Sequence, residues 1–264
     1  MIATTVRKGA RRAAFTLIEL VLVLLILAIL AGLVVPIVGW LRRSANYASA
    51  ANNQSTVMAN LELYRTTFGN NNYPDRFDSL LGAAGSPTPG VVPAFMNPEL
   101  QAMITPGPLN AAQFQCLNNN NRGMLSVMDH VEPGTSGVIQ GNPGNTGTVV
   151  RALDTTGNFA FVNTTSPNGA LLARALYPDG VVPADVSLVL MGVGPSMTAN
   201  GRTMQAPPFD TNLDNSVEYG RFIAVFAVYS PRQGRRAQLK AVLDPRGRIV
   251  TSNLSEFYQS TNPE

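Results

Sequence analysis

The chain has 264 residues, of which 45% are hydrophobic and 13% charged, and its formal net charge is +3. Globular domains usually contain about 25% charged residues, so the apolar residues must be concentrated in one part of this chain. The excess of basic charge lies in residues 1–14, because without them the chain has 15 basic against 16 acidic residues. A basic groove for nucleic acid is therefore not expected.

The first predicted element is a long apolar helix that follows a basic leader. Residues 20–41 contain no charged side chain, and roughly 20 apolar residues are enough to cross the core of a bilayer. A conventional signal peptide has a shorter apolar core. The basic residues before the segment outnumber Arg42 and Arg43 after it, which by the positive-inside bias places the N-terminus in the cytoplasm. We therefore expect a single-pass membrane protein whose large domain lies outside the cytoplasm.

Glu19 is the one feature of this N-terminal region that needs a special reason. It stands directly before the uninterrupted apolar run, and a charge at the centre of a membrane helix costs about 2.5–3.5 kcal/mol even on the lower scales. An ionisable residue in such a segment therefore predicts a functional site. The alternative is that Glu19 lies near the interface and reaches water at little cost.

The residues around Glu19 resemble the prepilin motif of type IV pilins and type II secretion pseudopilins. After the basic leader, the motif consists of Ala14, Phe15, Thr16, Leu17, Ile18 and Glu19. In that family a prepilin peptidase cuts just before the Phe, the new amine is methylated, and Glu stands at the fifth mature position. Counted from Phe15, Pro36 is at the twenty-second position, where the family often has a proline that kinks the helix. The family usually has Gly where this chain has Ala14, and we expect cleavage to survive this small change but to be slower.

The resemblance implies a division of the chain and a set of partners. Residues 1–14 would be the removed leader, 15–41 the membrane and filament-core half of a helix, 42–69 its amphipathic half, and 70–264 an extracytoplasmic globular domain. Glu19 of one subunit would pair with the methylated amine of Phe15 of its neighbour and so set the register of assembly. The implied partners are prepilin peptidase, other pilin or pseudopilin subunits, an inner-membrane assembly platform and, before assembly, the lipid bilayer. The filament would lie in the periplasm or at the cell surface.

The second half of the helix is predicted from apolar periodicity. Val57, Leu61, Tyr64 and Phe68 recur at spacings of four, three and four residues, which is typical of one apolar helical face. Gly69 and the three asparagines after it predict the end of the helix. We expect this half to pack against a sheet.

Three further regions complete the predicted fold. Residues 73–81 resemble the Tyr-Pro and Leu-containing segment after the long helix of many major pseudopilins, although an ordinary turn into a short apolar anchor fits the same residues. Residues 82–147 are dense in Gly, Pro, Asn and Ser, so we expect a long insertion with sparse regular structure. Strands are predicted at residues 148–153, 159–163, 186–191, 222–229, 237–243 and 248–251.

The expected fold class is α+β. The last three predicted strands are joined by short turn segments and indicate an antiparallel meander. Together with the resemblance, this predicts a pilin-like fold in which a long N-terminal hydrophobic helix packs on a C-terminal antiparallel sheet.

Little in the sequence indicates an enzyme. Cys116 is the only cysteine and His130 the only histidine, which excludes an intramolecular disulfide and a site of several His or Cys ligands. We interpret Cys116 as a small buried hydrophobic residue and Asp129 with His130 as a surface pair. Neither a nucleophile elbow nor a phosphate-binding loop is present in the sequence, so we expect no catalytic residue.

One group of oxygen-bearing side chains resembles a calcium loop. Alternating ligands stand at Asp210, Asn212 and Asp214, with Glu218 nearby. The spacing departs from the EF-hand pattern, because Asn215 replaces the turn glycine and Arg221 stands at the twelfth position. Some major pseudopilins hold calcium near their C-terminal strands, but a solvated polar loop is the preferred interpretation. We therefore expect no cofactor, with calcium as the alternative.

The function that these observations favour is that of a structural subunit of a type II secretion pseudopilus. Such a subunit is cleaved, N-methylated and polymerised through its helix to support protein export. A major or minor pilin of a type IV pilus, used in adhesion, motility or DNA uptake, is the alternative within the same class. An unprocessed, membrane-anchored extracytoplasmic binding domain or enzyme is the alternative from another class.

Overall fold

A long helix, α1 (Leu17–Thr67), begins the part of the chain that the structure describes. The structure is a computed structural model, and it describes residues 17–131, 148–211, 213, 218–230, 235–252 and 255. The chain divides into two compact units, residues 1–42 and residues 43–264.

In the first unit, α1 continues without interruption through residue 36. A kink at Pro36 stays a prediction. Among the described residues, no helix meets the combination of length and apolarity that crossing a membrane requires. The predicted membrane span is therefore not confirmed.

The second half of α1 ends where the sequence predicts. Val57 and Leu61 are almost completely buried and Tyr64 is 7% exposed, so these three positions form the expected apolar face. Asn70 and Asn71, just after the helix, adopt left-handed conformations with φ of 47° and 69°, which asparagine tolerates better than most residues.

Phe68 does not belong to this apolar face, contrary to the sequence prediction. The helix ends at Thr67, so the helical spacing no longer applies at the next residue. Its ring is 54% exposed and lies 6.0 Å from the ring of Tyr64.

The second unit contains an eight-stranded mixed sheet. Its strands are β1 (Phe77–Gly82), β2 (Ile104–Pro108), β3 (Ser126–His130), β4 (Thr148–Ala152), β5 (Asn158–Val162), β6 (Val186–Gly192), β7 (Ile223–Tyr229) and β8 (Gln238–Leu243). They are ordered β2-β5-β6-β1-β3-β4, and β7 pairs with both β6 and β8. Because β1 and β3 pair in parallel, the sheet is mixed and not antiparallel throughout as predicted. The architecture is α+β and compatible with a pilin-like fold.

The core of this unit is built on β7, in which all seven residues are buried. Phe226 of β7 packs edge-on against Phe77 and Tyr73, with ring centroids 5.4 and 5.0 Å apart. Val57 and Leu61 of α1 belong to the same buried cluster. Burial of a large apolar side chain stabilises a fold by about 1.5–3 kcal/mol, so this cluster is the main source of stability.

Five of the six predicted strands are present with ends within one residue, but the strand predicted at 248–251 is wrong. Residues 250–252 are helical. The carboxylate of Asp244 accepts hydrogen bonds from the backbone N–H groups of Arg246 and Arg248, at 2.9 and 2.8 Å. This local bonding turns the chain after β8, so the predicted meander has two strands and not three.

The prediction of sparse regular structure over residues 82–147 is also wrong for its described part. It contains β2, β3 and two helices, α2 (Pro98–Met103) and α3 (Ala111–Asn118). Asn110 and Gln113 form a reciprocal capping box at the start of α3, an arrangement that satisfies two backbone donors. Asn97 caps α2, whose first residue is a proline. Some of the turn-forming residues therefore serve to begin helices. A fourth helix, α4 (Pro167–Leu176), follows β5.

Candidate functional site

The described part of the prepilin-like motif is the beginning of α1. Leu17, Ile18 and Glu19 lie in its first turn, whereas Ala14, Phe15 and Thr16 lie outside the described residues. Leu17 is 83% exposed and Ile18 74% exposed. The cleavage site and the methylated residue therefore stay predictions.

Glu19 is an exposed carboxylate in the first turn of this helix. The N-terminal end of a helix carries partial positive charge from its unpaired N–H groups, so an acidic side chain there is stabilising. The pairing of Glu19 with the amine of Phe15 stays a prediction.

Residues 17–32 are exposed on every side of the helix. The large apolar side chains among them are Leu17, Ile18, Leu20, Val21, Leu22, Val23, Leu24, Leu25, Ile26, Leu27, Ile29 and Leu30. A helix that is apolar all round is found inside a large apolar environment, and an exposed apolar surface of this extent marks an interaction site. This exposed apolar surface is therefore the candidate functional site of the chain.

The calcium candidates are described only in part. Asn212 and Asp214 lie outside the described residues. Asp210 is 2% exposed, and its backbone N–H donates to the carbonyl of Gly220 at 2.9 Å; Glu218 is only partly buried. Within the described ranges, no three His, Cys, Asp or Glu side chains form a group that could hold a metal ion. Calcium binding therefore stays an untested alternative to the solvated polar loop.

His130 is buried and not on the surface, contrary to the prediction of a surface pair with Asp129. The two residues are 2% and 6% exposed. Asp129 forms an ion pair with Arg151 at 2.6 Å, while the His130 ring packs edge-on against Phe95 and Tyr219, at 5.8 and 5.2 Å. The prediction failed because these partners come from distant parts of the chain.

A buried polar cluster around His130 was not anticipated from the sequence. The Tyr219 hydroxyl donates to Oδ2 of Asp78 at 2.9 Å. Burial raises the pKa of Asp78 to about 7, and burial together with the charge of Arg221 lowers the pKa of His130 to about 3. At neutral pH the His130 ring is therefore uncharged, and Asp78 keeps its proton to a higher pH than an exposed aspartate does.

The close approach of Tyr219 and Asp78 to the backbone depends on two glycines. A Cβ at Gly192 would clash with the Tyr219 hydroxyl, and one at Gly194 would clash with the Asp78 carboxylate. The signal available in the sequence was the pair of glycines just after an apolar strand, but it does not reveal which side chains approach them.

Cys116 is buried, as expected, at 3% exposure. Its thiol donates weakly to the carbonyl of Tyr229 at 3.6 Å, and burial raises its pKa. A thiol with a raised pKa is a poor nucleophile near neutral pH, so this residue belongs to the core.

Comparison with protein families supports the interpretation of the N-terminus. The chain matches the model of the prokaryotic N-terminal methylation motif over residues 9–35, which is consistent with a prepilin-like protein. Comparisons with curated proteins and with solved structures gave no match.

The matched motif implies processing by prepilin peptidase and assembly with other pilin subunits. It points to a structural subunit and not to an enzyme. The matched range includes Glu19 and much of the exposed apolar surface of α1. The motif and the surface that needs a partner therefore coincide.

Proposed function

We propose that this chain is a structural subunit of a type II secretion pseudopilus. Prepilin peptidase cuts it between Ala14 and Phe15 and methylates the new amine of Phe15, and the subunit then polymerises through α1 to support protein export. The observation that carries the proposal is the methylation motif at residues 9–35 on a helix whose apolar side chains are exposed on every side.

The apolar surface of α1 is covered in two successive environments in this proposal. Before assembly, residues 15–41 lie in the inner membrane, with the globular domain outside the cytoplasm. After assembly the same residues lie against the helices of neighbouring subunits. The chain of apolar side chains from Leu17 to Leu30 suits both environments, because both lipid and packed helices offer an apolar surface.

Glu19 sets the axial register between neighbouring subunits in the assembled filament. A carboxylate in an apolar filament core is costly unless a cation neutralises it. Cleavage creates such a cation, the amine of Phe15, four residues before Glu19 in the chain. Pairing between neighbours neutralises both charges and penalises any axial displacement that separates them.

The test compares two isosteric charge removals on the same helix, Glu19→Gln and Glu62→Gln. Glu62 lies in the second half of α1 and pairs with Arg65 and Tyr73, so it controls for loss of a carboxylate. We expect Glu19→Gln to abolish sheared filaments while leaving the level of cleaved subunit unchanged, and Glu62→Gln to leave assembly intact. Normal filament yield from Glu19→Gln would contradict the role given to this residue.

A second experiment separates the pseudopilus from a pilus. Deletion of the gene is expected to leave exported proteins in the periplasm, with the defect restored by the wild-type chain. Normal export, together with loss of long surface filaments, would instead identify a type IV pilus subunit.

A further inference from the structure

Among the described residues, the sheet of the globular unit ends in three edge strands, β2, β4 and β8. An edge strand presents a row of backbone N–H and C=O groups to which a further strand can add. Folded proteins usually block such edges with proline, with charge or with a covering segment. The edges of β2 and β8 are blocked in this way, whereas the edge of β4 is open.

The outer edge of β2 is blocked because it lacks backbone donors. The carbonyl of Met103 accepts from the residue after β5 at 2.7 Å, and bonded positions alternate along an antiparallel pair. The backbone groups of Ile104, Pro106 and Pro108 therefore point away from β5. Proline has no N–H, and the N–H of Ile104 donates to the carbonyl of Gln101. A further strand would find no donor on this edge.

The outer edge of β8 is blocked by a covering segment and by charge. The N–H of Leu239 donates to the hydroxyl of Tyr73 at 3.0 Å, so this donor is already used. Lys240 adds a charged side chain to the same strand. The register of β8 on β7 also shifts, between Val225 and Phe226. An irregular, charged and covered edge disfavours the addition of a strand.

The outer edge of β4 presents both donors and acceptors. The N–H of Leu153, directly after β4, donates to the carbonyl of Leu125 before β3 at 2.9 Å. Since bonded positions alternate, the backbone groups of Thr148, Val150 and Ala152 point away from β3. These three positions carry neither proline nor charge, and the described sheet ends at this strand.

The side chains of β4 also favour an added strand. Three of its five residues are exposed, among them Val149 at 47% and Val150 at 53%. β-branched residues pack well against neighbours on the surface of a sheet, and an exposed edge of such residues is a site at which strands pair. The kind of partner that fits this edge is therefore an extended strand.

We propose that β4 pairs antiparallel with β4 of a second copy of this chain, so that Val150 lies opposite its own counterpart. Every copy presents the same open edge, and the edges of β2 and β8 are blocked, so β4 with β4 is the pairing that remains. Such an interface has a two-fold axis and closes at two copies. It goes beyond the proposed function, because it needs neither cleavage before Phe15 nor the carboxylate of Glu19.

The sequence of β4 is compatible with its own copy. Antiparallel pairing about Val150 places Thr148 opposite Ala152 and Val149 opposite Arg151. No two charged residues then stand directly opposite each other, an arrangement that would be destabilising. Arg151 already forms an ion pair within its own protomer, at 2.6 Å. The outward backbone groups of both copies gain partners without opposing like charges.

Cross-linking of Val150→Cys tests the position of the two-fold axis. Opposite Cα atoms of a hydrogen-bonded antiparallel pair lie about 5.5 Å apart, a distance that a disulfide spans. The matched control is Val181→Cys, at a 69% exposed valine outside the sheet, and the wild type controls for the buried Cys116.

The measurement is the rate of disulfide dimer formation by the full chain in non-ionic detergent under mild oxidation. Pairing holds the two introduced thiols together and so raises their effective concentration. We expect Val150→Cys to form dimers at least about tenfold faster than Val181→Cys. Association through α1 alone would favour neither position, so equal rates would overturn the proposal.

Hydrogen exchange with reversed charges tests the pairing without a cross-link. Exchange of the β4 amides, followed by mass spectrometry, should slow as the concentration of the wild-type chain rises. Val150→Lys and Val150→Glu each place like charges opposite each other and should each abolish this slowing. An equimolar mixture of the two variants should restore it, and Val181→Lys should behave as the wild type does.

Two results of the exchange experiment would contradict the proposal. Protection of β4 that does not change with concentration would mean that a segment of the same copy covers the edge. Failure of the mixed charge variants to regain concentration-dependent protection would mean that Val150 does not face its own counterpart.

Discussion

Replacing Asp78 by Asn is expected to change how the stability of the chain depends on pH. Asp78 is 1% exposed and accepts a hydrogen bond from Tyr219. Among the described residues, His130 lies close to this pair, with its ring against that of Tyr219. The charge of Arg221 acts on both Asp78 and His130. Asn has the shape of Asp and still accepts from Tyr219, so the change removes the titration and keeps the packing.

The magnitude follows from the difference in proton binding between the folded and unfolded states. Folding raises the pKa of Asp78 from 3.8 to about 7, so its protonated form stabilises the fold fully below the unfolded pKa. This contribution is lost as pH rises toward 7, at about 1.4 kcal/mol per pH unit. His130 acts in the opposite direction, because folding lowers its pKa from 6.5 to about 3. Its contribution is lost as pH falls below 6.5.

Between about pH 4 and pH 6.5, the contributions of Asp78 and His130 to the free energy of unfolding change with pH in opposite directions. They therefore largely cancel in the wild type. Without the titration of Asp78, the pH dependence that His130 gives to the free energy of unfolding is no longer cancelled. Between pH 4.5 and 6.5, the free energy of unfolding of Asp78→Asn should rise by about 2–3 kcal/mol relative to that of the wild type. His130→Gln should show the opposite relative slope.

The assay is urea unfolding of the full chain in non-ionic detergent at several pH values, followed by far-UV circular dichroism. The wild type and Asp78→Asn are compared by how their free energies of unfolding change with pH. Their absolute stabilities are not compared, since the substitution itself also changes the stability. Parallel pH profiles for the wild type and Asp78→Asn would refute the assignment of a raised pKa to Asp78.

Two further predictions concern the core. Leu61→Ala should lower the free energy of unfolding by about 2–5 kcal/mol, because Leu61 is 0% exposed and its loss leaves a cavity. The control, Leu63→Ala, lies at a 48% exposed position of the same helix and should change the free energy of unfolding by less than about 0.5 kcal/mol. Equal effects in urea unfolding would contradict the assigned face of α1. Cys116 should resist iodoacetamide in the folded chain and react once urea unfolds it, because its thiol is buried with a raised pKa; rapid alkylation of the folded chain, detected by mass spectrometry, would contradict its burial.

The parts of the fold that sequence reasoning predicted are those set by local pattern. The end of α1 follows from the Gly and Asn residues after Thr67, and five strands follow from apolar runs bounded by turn residues. Both signals act within a few residues, so they need no knowledge of the tertiary structure.

The parts that sequence reasoning missed depend on contacts between distant residues, or on residue types that are common both in loops and at the start of helices. His130 is buried because Phe95 and Tyr219 surround it. The parallel pairing of β1 with β3 joins segments separated by α2, β2 and α3. The asparagines and prolines of residues 82–131 predicted loops. In the structure, Asn97 and Asn110 instead cap helices.

The candidate site shows the same division. The motif at residues 14–19 was recognised from local residue order, and the family comparison supports it. By contrast, the ion pair of Asp129 with Arg151 depends on the alignment of β3 with β4, which the sequence does not specify.

Prepilin processing is tested most directly by the N-terminal sequence and intact mass of the protein purified from membranes of its native cell. We expect a chain that begins at Phe15 and carries one methyl group on its amine, with residues 1–14 absent. A chain that still begins at Met1 would contradict prepilin processing and with it the proposed assembly through α1.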